Sequence, residues 1–476
     1  MITLLMILVF VLGYTLIAFE FKTQINKTAI SLFLGVSLWI LYVLGASDFV
    51  PQMLPNIFQD FLNERPDLAS ASLNEQIRTF VTGFVLTNHL GDVASILFFL
   101  MGAMTIVEVI DQHGGFNFVN RKLNTRNSCK LLWMMMFMTF FMSSVLDNLT
   151  TAIVMIMVLR KLVTNQEQRW LYAAIVVVAA NAGGAFSPIG DVTTILLWIN
   201  GNVTTTGIIK VSFIPALISA IVPTLIISRL LKCEVEAPKP SPEEREYIVP
   251  ISHKERILIF CLGLGGLMFT PIFKSITGLP PFMGVMAALA VLWTYTELIY
   301  KKNHVLEESL KQRVNDLIKH IDMSTVLFLF GILMSVAALE EAGILHTASV
   351  WLDQNIHNTY GVTVLIGFLS AFVDNGSLVA GVMGMYPIAT QQVIAASADP
   401  VYLSNFVVDG EFWNLLAYCA GTGGSLTIIG SAAGVMVMGL EKMTFAWYFK
   451  KFSWMVLIGY LSGVLIYYLQ SLFGLI

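Results

Sequence analysis

Two short motifs set a carboxylic acid beside a carboxamide in otherwise apolar chain: Ser144-Val145-Leu146-Asp147-Asn148-Leu149-Thr150 and Ala371-Phe372-Val373-Asp374-Asn375-Gly376-Ser377. A third acid, Asp191, follows Gly183-Gly184, Ser187 and Pro188. Side-chain oxygens crowd the same regions. Thr150, Thr151, Asn181, Thr193 and Thr194 lie in the first half, and Ser377, Thr422, Ser425 and Thr427 in the second. A charge held inside a bilayer costs about 2.5–3.5 kcal/mol on insertion scales, so acids placed there have a use. Hard cations take oxygen ligands. Na⁺ or Li⁺ would neutralise these carboxylates, and so would H⁺. If cation and proton compete for one carboxylate, coupled exchange follows. Asp147, Asn148, Asp191, Asp374 and Asn375 are the candidate Na⁺ ligands. An anion would instead want a nearby arginine or free helix amino ends. No lysine or arginine lies at comparable depth, and the aspartates would repel an anion. Glu108, inside another apolar run, either lines a proton path or hydrogen-bonds within the bundle. No cofactor is implied; Na⁺ or Li⁺ and H⁺ are the transported ions.

The elements that hold these residues are read from composition and charge. Of 476 residues, 56% are hydrophobic and 12% charged, about half the charge of a soluble domain. That excludes a cytosolic globular enzyme and a disordered chain. The net charge of −4 leaves no basic footprint for nucleic acid. The four cysteines lie far apart, with no zinc or redox spacing. Apolar runs near the roughly 17–25 residues that cross a bilayer recur along the chain. They are Ile2–Phe19, Thr28–Ser47, Val93–Val107, Val211–Ser228, Ile257–Phe273, Ser275–Thr296, Met323–Leu339 and Phe452–Ile476. In lipid they must be helical. Ile2–Phe19 has no basic residue before it and reads as a first span, not a cleaved signal. With both termini outside, 23 of the 27 lysines and arginines fall on the inner side, the expected polarity for a bacterial inner membrane.

The chain also repeats itself. Asp147-Asn148 and Asp374-Asn375 are 227 residues apart, Gly183-Gly184 and Gly423-Gly424 are 240 apart, and Gly102 and Gly114 precede Gly331 and Gly343 by 229. The same order at similar offsets marks a duplication. A Pro-rich charged stretch joins the halves, dividing the chain into a first repeat (1–230), a cytoplasmic linker (231–256) and a second repeat (257–476). The reading is an all-α polytopic membrane protein of two inverted-topology repeats. Each repeat has five crossings, one re-entrant hairpin (about 131–159 and 357–388) and one broken helix (about 170–198 and 412–440). Five crossings force the second half to enter with opposite polarity, as in secondary transporters. Glycine costs about 1 kcal/mol and proline about 3 in a helix interior, so the broken helices unwind at their centres.

Plainer roles compete. Asp147-Asn148 and Asp374-Asn375 also suit helix caps, and the paired glycines suit close helix packing. Asp191 has no acidic counterpart, since Ser431 stands 240 residues on. It either makes one half bind more tightly or caps the helix that follows. Glu340 and Glu341, at a span end, read as interfacial.

The two Asp-Asn hairpin tips and the two Gly-Gly broken helices resemble the NhaD family of sodium/proton antiporters, within the ion transporter superfamily. The resemblance runs from about residue 91 to 440 by motif. Dicarboxylate-carrying relatives have Ser-Asn-Thr at the tips, where this chain has Leu146-Asp147-Asn148-Leu149-Thr150 and Val373-Asp374-Asn375-Gly376-Ser377. An acid in place of that serine fits a cation. The resemblance implies transport bundles moving against a scaffold, elevator-fashion, in a homodimer. The alternative on the same scaffold is a sodium-coupled symporter of a small anion. An intramembrane aspartyl protease using Asp147 and Asp191 lacks its Tyr-Asp and Gly-x-Gly-Asp patterns and has no use for a duplication.

Overall fold

The computed structural model describes residues 2–18, 20–68, 70–115, 127–163, 165–230, 251–302, 313–397 and 399–474, and every regular element among them is helical. The main helices of the first half are α1 (Ile2–Ala18), α2 (Lys27–Met53), α3 (Leu73–Gln112, with a π-turn at Val81–Val85), α4 (Ser128–Ser143), α5 (Asn148–Leu162), α6 (Gln166–Ala185), α7 (Val192–Ile199) and α8 (Thr205–Leu230). Those of the second half are α9 (His253–Thr277), α10 (Pro281–Lys302), α11 (Met323–Glu341), α12 (Ile344–Asn355), α13 (Thr359–Leu369), α14 (Asn375–Met385), α15 (Glu411–Gly423), α16 (Ala432–Glu441) and α17 (Ser453–Leu472). Among the described residues α2, α3, α8, α9, α10, α11 and α17 are long and apolar enough to cross a bilayer.

The helices divide into two compact units, each drawing on both halves of the chain. The first comprises residues Met1–Leu97, Asp322–Asn358 and Ser377–Pro387. Its centre is the α2–α11 pair. There a Cβ on Gly35 would come 3.0 Å from the Gly331 carbonyl oxygen, and one on Gly331 would come 2.5 Å from the Ser31 backbone. Small residues let helices approach this closely where lipid gives no hydrophobic drive for association. Trp39 Nε1 donates to the Met334 carbonyl at 2.9 Å, and Thr28 Oγ1 to that of Ser324 at 2.9 Å. The opposite stripe of α2, Phe33, Val36, Ile40 and Leu44, is exposed, as the lipid-facing side of a helix would be.

The second unit comprises Phe98–Ile321, Thr359–Gly376 and Ile388–Ile476. It contains both interrupted helices. Helix α6 stops at Ala185 and resumes as α7 at Val192; α15 stops at Gly423 and resumes as α16 at Ala432. The breaks fall at residues 186–191 and 424–431, directly after Gly183-Gly184 and Gly423, which still lie in the last turn of the helix before each break, and the first break contains Pro188. Helices α4 and α5 are the two short arms around Asp147, and α13 and α14 those around Asp374.

The structure moves three boundaries. Ile257–Phe273 and Ser275–Thr296 were expected to part at Lys274, yet α9 continues to Thr277 and ends at Gly278, whose φ of +70° suits a residue without Cβ, followed by Pro280. Lys274 stays in the last turn and reaches sideways, its Nζ donating to the Trp198 carbonyl at 3.0 Å. The linker 231–256 lies outside the described residues up to residue 250. Beyond that, Ser252 and Glu255 form a capping box, so α9 begins at His253, inside the segment assigned to the linker. Helix α3 begins well before Val93, because Leu73–Leu90 is also helical.

Candidate functional site

The unwound centre of α6–α7 and the N-termini of α5 and α14 come together within the second unit. Asp191 is the hub. It occupies the N-cap position of α7, but its side chain makes no capping bond and turns instead to its neighbours. Its Oδ1 accepts from Asn148 Nδ2 at 3.0 Å, and its Oδ2 accepts from Thr193 Oγ1 at 2.6 Å and from Asn375 Nδ2 at 3.0 Å. One carboxylate, 1% exposed, is therefore bonded to the carboxamides of both Asp-Asn motifs.

Asn148 Nδ2 also donates to Asn181 Oδ1 at 3.0 Å. Asn181 Nδ2 in turn donates to Ser425 Oγ at 2.9 Å and to Ser431 Oγ at 2.8 Å, tying the first broken helix to the second. Asp147 caps α5: its Oδ1 accepts from the Thr150 amide at 2.8 Å and its Oδ2 from Thr150 Oγ1 at 2.6 Å. The two first-half aspartates thus divide the roles that the sequence left open, Asp147 capping and Asp191 not. Asp374 and Asp147 both act electrostatically on Asp191, and among the described residues no lysine or arginine is a charged partner of Asp147 or Asp191.

The remaining oxygens fall into two groups. Thr151, one turn along α5 from Asp147, is fully buried, and among the described residues its hydroxyl has no hydrogen-bond partner. A buried hydroxyl left open is costly unless something occupies it, and a cation without its water shell would. The other group is spent on backbone. Thr194 Oγ1 donates to the Asp191 carbonyl at 3.0 Å, Ser187 Oγ to that of Ser144 at 2.5 Å, Thr422 Oγ1 to that of Tyr418 at 2.6 Å, and Thr427 Oγ1 to that of Ala371. Ser377 belongs to the first unit, where its carbonyl accepts from Tyr14 at 3.2 Å. Glu108 accepts from Gln112 Nε2, one turn along its own helix, at 2.9 Å.

These backbone bonds recur at the offsets seen in the sequence. Ser143 Oγ donates to the Ala180 carbonyl at 2.6 Å, and Ser370 Oγ to that of Ala420 at 2.7 Å. Ser187 on Ser144 is matched by Thr427 on Ala371. A Cβ on Gly183 would strike the Phe140 carbonyl oxygen, and one on Gly423 that of Gly367. Gly114 and Gly343 share a φ of +70°. In each case the partners are 227, 229 or 240 residues apart.

Two features were missed. Ser431 accepts from Asn181 and also caps α16 through the Gly434 amide at 3.2 Å. Its position 240 residues after Asp191, the offset between the two Gly-Gly pairs, was the available signal. Glu341, read as interfacial, is a partner of His89, with Nε2 to Oε1 at 2.8 Å and both side chains mostly buried in the first unit. The 252 residues between them leave no pattern to read.

The comparisons with known proteins bear on the fold and the family. A family model described as citrate transporter matches residues 14–408. Sodium/proton antiporter 1 of Arabidopsis thaliana is 42% identical over 97% of this chain and 71% of its own. The Na(+)/H(+) antiporter NhaD of Vibrio cholerae is 28% identical over 98% and 91% respectively. The crystal structure of the Alcanivorax borkumensis YdaH transporter shares the fold, with a TM-score of 0.59 over 94% of this chain and 99% of that one at 12% identity. Similarity over nearly the whole length, with apolar helices fit to span a bilayer, leads to one assignment: this chain is an integral membrane protein of the NhaD-type sodium/proton antiporter family.

Proposed function

We propose that this protein exchanges Na⁺ or Li⁺ for H⁺, with cation and proton competing for carboxylates at the Asp191 centre. The observation that carries the reading is the position of Asp191. A single buried carboxylate bonded to Asn148 and Asn375 senses both Asp-Asn motifs, while Asp147 and Asp374 add negative charge, and among the described residues no lysine or arginine is a charged partner of Asp191. A cation held by Asp191, Asp147, Asn148, Asp374 or Asn375, with Thr151 as an added oxygen, neutralises the centre. Protonation does the same, and each excludes the other. The relatives named as Na(+)/H(+) antiporters support the ion pair exchanged.

The recurring bonds at fixed offsets support two related halves, and five crossings per half give them opposite polarity. In this reading residues 1–230 and 257–476 are the inverted repeats. Both termini face outside, the protein is a homodimer, and the bundle holding the site moves elevator-fashion. Glu108 remains the candidate for a proton path.

The test uses everted membrane vesicles. Asp191→Asn and Asp147→Asn are each expected to reduce sodium-dependent proton movement at least about 100-fold, because a neutral carboxamide can neither bind the proton nor balance the cation. Full activity in Asp191→Asn overturns the carboxylate mechanism. A second reading, sodium-coupled anion symport, is favoured by the citrate transporter description of the matching family model. Uptake of labelled citrate driven by a sodium gradient would support it. Na⁺/H⁺ competition in the absence of any anion argues against it.

A further inference from the structure

The three helices linked at the ion centre are linked again at their far ends. Asn148 starts α5, Asn181 lies in α6 and Ser431 caps α16, and these residues form the chain Asn148–Asn181–Ser431. At the opposite end of the same helices stand Arg160, Arg169 and Glu441. Arg160 Nε donates to Glu441 Oε1 at 2.8 Å and Arg169 Nε to Oε2 at 2.5 Å. The Glu441 side chain is 0% exposed.

The backbone at this end is tied as well. A second Arg160 nitrogen donates to the Leu440 carbonyl, Trp170 Nε1 to that of Glu441 at 3.0 Å, and Arg169 to that of Val163, the C-cap of α5, at 3.2 Å. The last carbonyls of α16, which a helix end leaves without partners, are thus taken by side chains from the end of α5 and the start of α6. At 1.5 Å per residue, Asn148 to Arg160 and Asn181 to Arg169 each span about 18 Å, and Ser431 to Glu441 about 15 Å. Three struts of similar length, packed on one another, are therefore pinned at both ends.

We propose that Glu441, through Arg160 and Arg169, is a positioning residue for the ion site: it fixes the axial register of α5, α6 and α16 so that Asn148, Asn181 and Ser431 meet. A slip of one residue along a helix is about 1.5 Å, enough to break every bond in that chain. The inference rests on the ion-exchange reading above and assigns this cluster the affinity of the site, not its chemistry.

The experiment measures sodium half-saturation and maximal rate of proton movement in everted vesicles, normalised to protein level in the membrane. Glu441→Gln keeps the shape and removes the charge. It is expected to raise half-saturating Na⁺ about tenfold with maximal rate within about twofold, since displacement at a distance acts through geometry. Glu441→Asp, which keeps the charge, is expected to recover most of that loss. Arg160→Gln leaves the Arg169 pair intact and is expected to raise half-saturation about threefold. It decides the matter if Glu441→Gln does not reach the membrane. Lys319→Gln, which breaks an exposed pair with Asp316, is the unaltered control. Exchange by the wild type with unaltered half-saturation in the variants overturns the positioning role. So does a fall in maximal rate alone. No Na⁺- or Li⁺-dependent exchange by the wild type overturns the ion reading and this inference with it.

Discussion

At the scale of single residues, the balance at the centre is one of charge against oxygen. Asp191 is buried and satisfied by three donors, all neutral: two carboxamides and a hydroxyl. In the proposed exchange, donors that are all neutral leave the charge of this buried carboxylate to be balanced by a cation or a proton. Thr151 is the residue where this can be tested without touching a charge. Thr151→Val is nearly the same size and removes only the unpartnered hydroxyl. Stability should hold or rise, because an unsatisfied buried group costs about 1–3 kcal/mol. Sodium affinity should fall about tenfold, equivalent to about 1.4 kcal/mol. Isothermal titration with melting of the purified protein reads both, and unchanged affinity removes Thr151 from the ligand set. The motifs carrying Asp147 and Asp374 were legible because they are duplicated. The place of Asp191 was not, since its bonds run to Asn148 and Asn375, 43 and 184 residues away.

At the scale of elements, the interrupted helices follow from their glycines, which serve packing as well as unwinding. Gly183 and Gly423 each lie directly against a carbonyl oxygen of a short helix, that of Phe140 in α4 in one case and that of Gly367 in α13 in the other. Packing and unwinding therefore sit side by side: the close approach is made in the last helical turn, and the backbone breaks within three residues after it. Gly183→Ala and Gly423→Ala should each destabilise by about 1–3 kcal/mol through forced displacement of that backbone. Gly265→Ala, in α9 with open space around it, should be neutral or stabilise by about 0.5–1 kcal/mol. Thermal melting in detergent separates the two outcomes, and equal behaviour of all three variants would remove the close-approach account. The breaks and the short helices on either side of the Asp-Asn pairs were legible from Gly-Gly, Pro188 and the Asp-Asn motifs. The end of α9 was misplaced because a lone charge, Lys274, looked like a boundary, whereas the backbone stops only at Gly278 and Pro280.

At the scale of the whole molecule, composition and the apolar runs made an all-helical membrane protein legible, and the Asp-Asn and Gly-Gly motifs pointed to a transporter. What stayed hidden are pairings between distant segments with no periodic trace: His89 with Glu341, Asn181 with Ser431, and Glu441 with Arg160 and Arg169. Such bonds decide where a folded chain places its charges, and no local spacing announces them. The central claim, that one carboxylate centre holds either a cation or a proton, is tested most directly by the sodium affinity of the purified wild-type protein as a function of pH. Direct competition predicts that, in the acidic range, the apparent Kd rises about tenfold per unit fall in pH for each proton displaced, with protons released into unbuffered solution on sodium binding. A sodium affinity that stays constant as the solution is acidified, with no proton release, would contradict it.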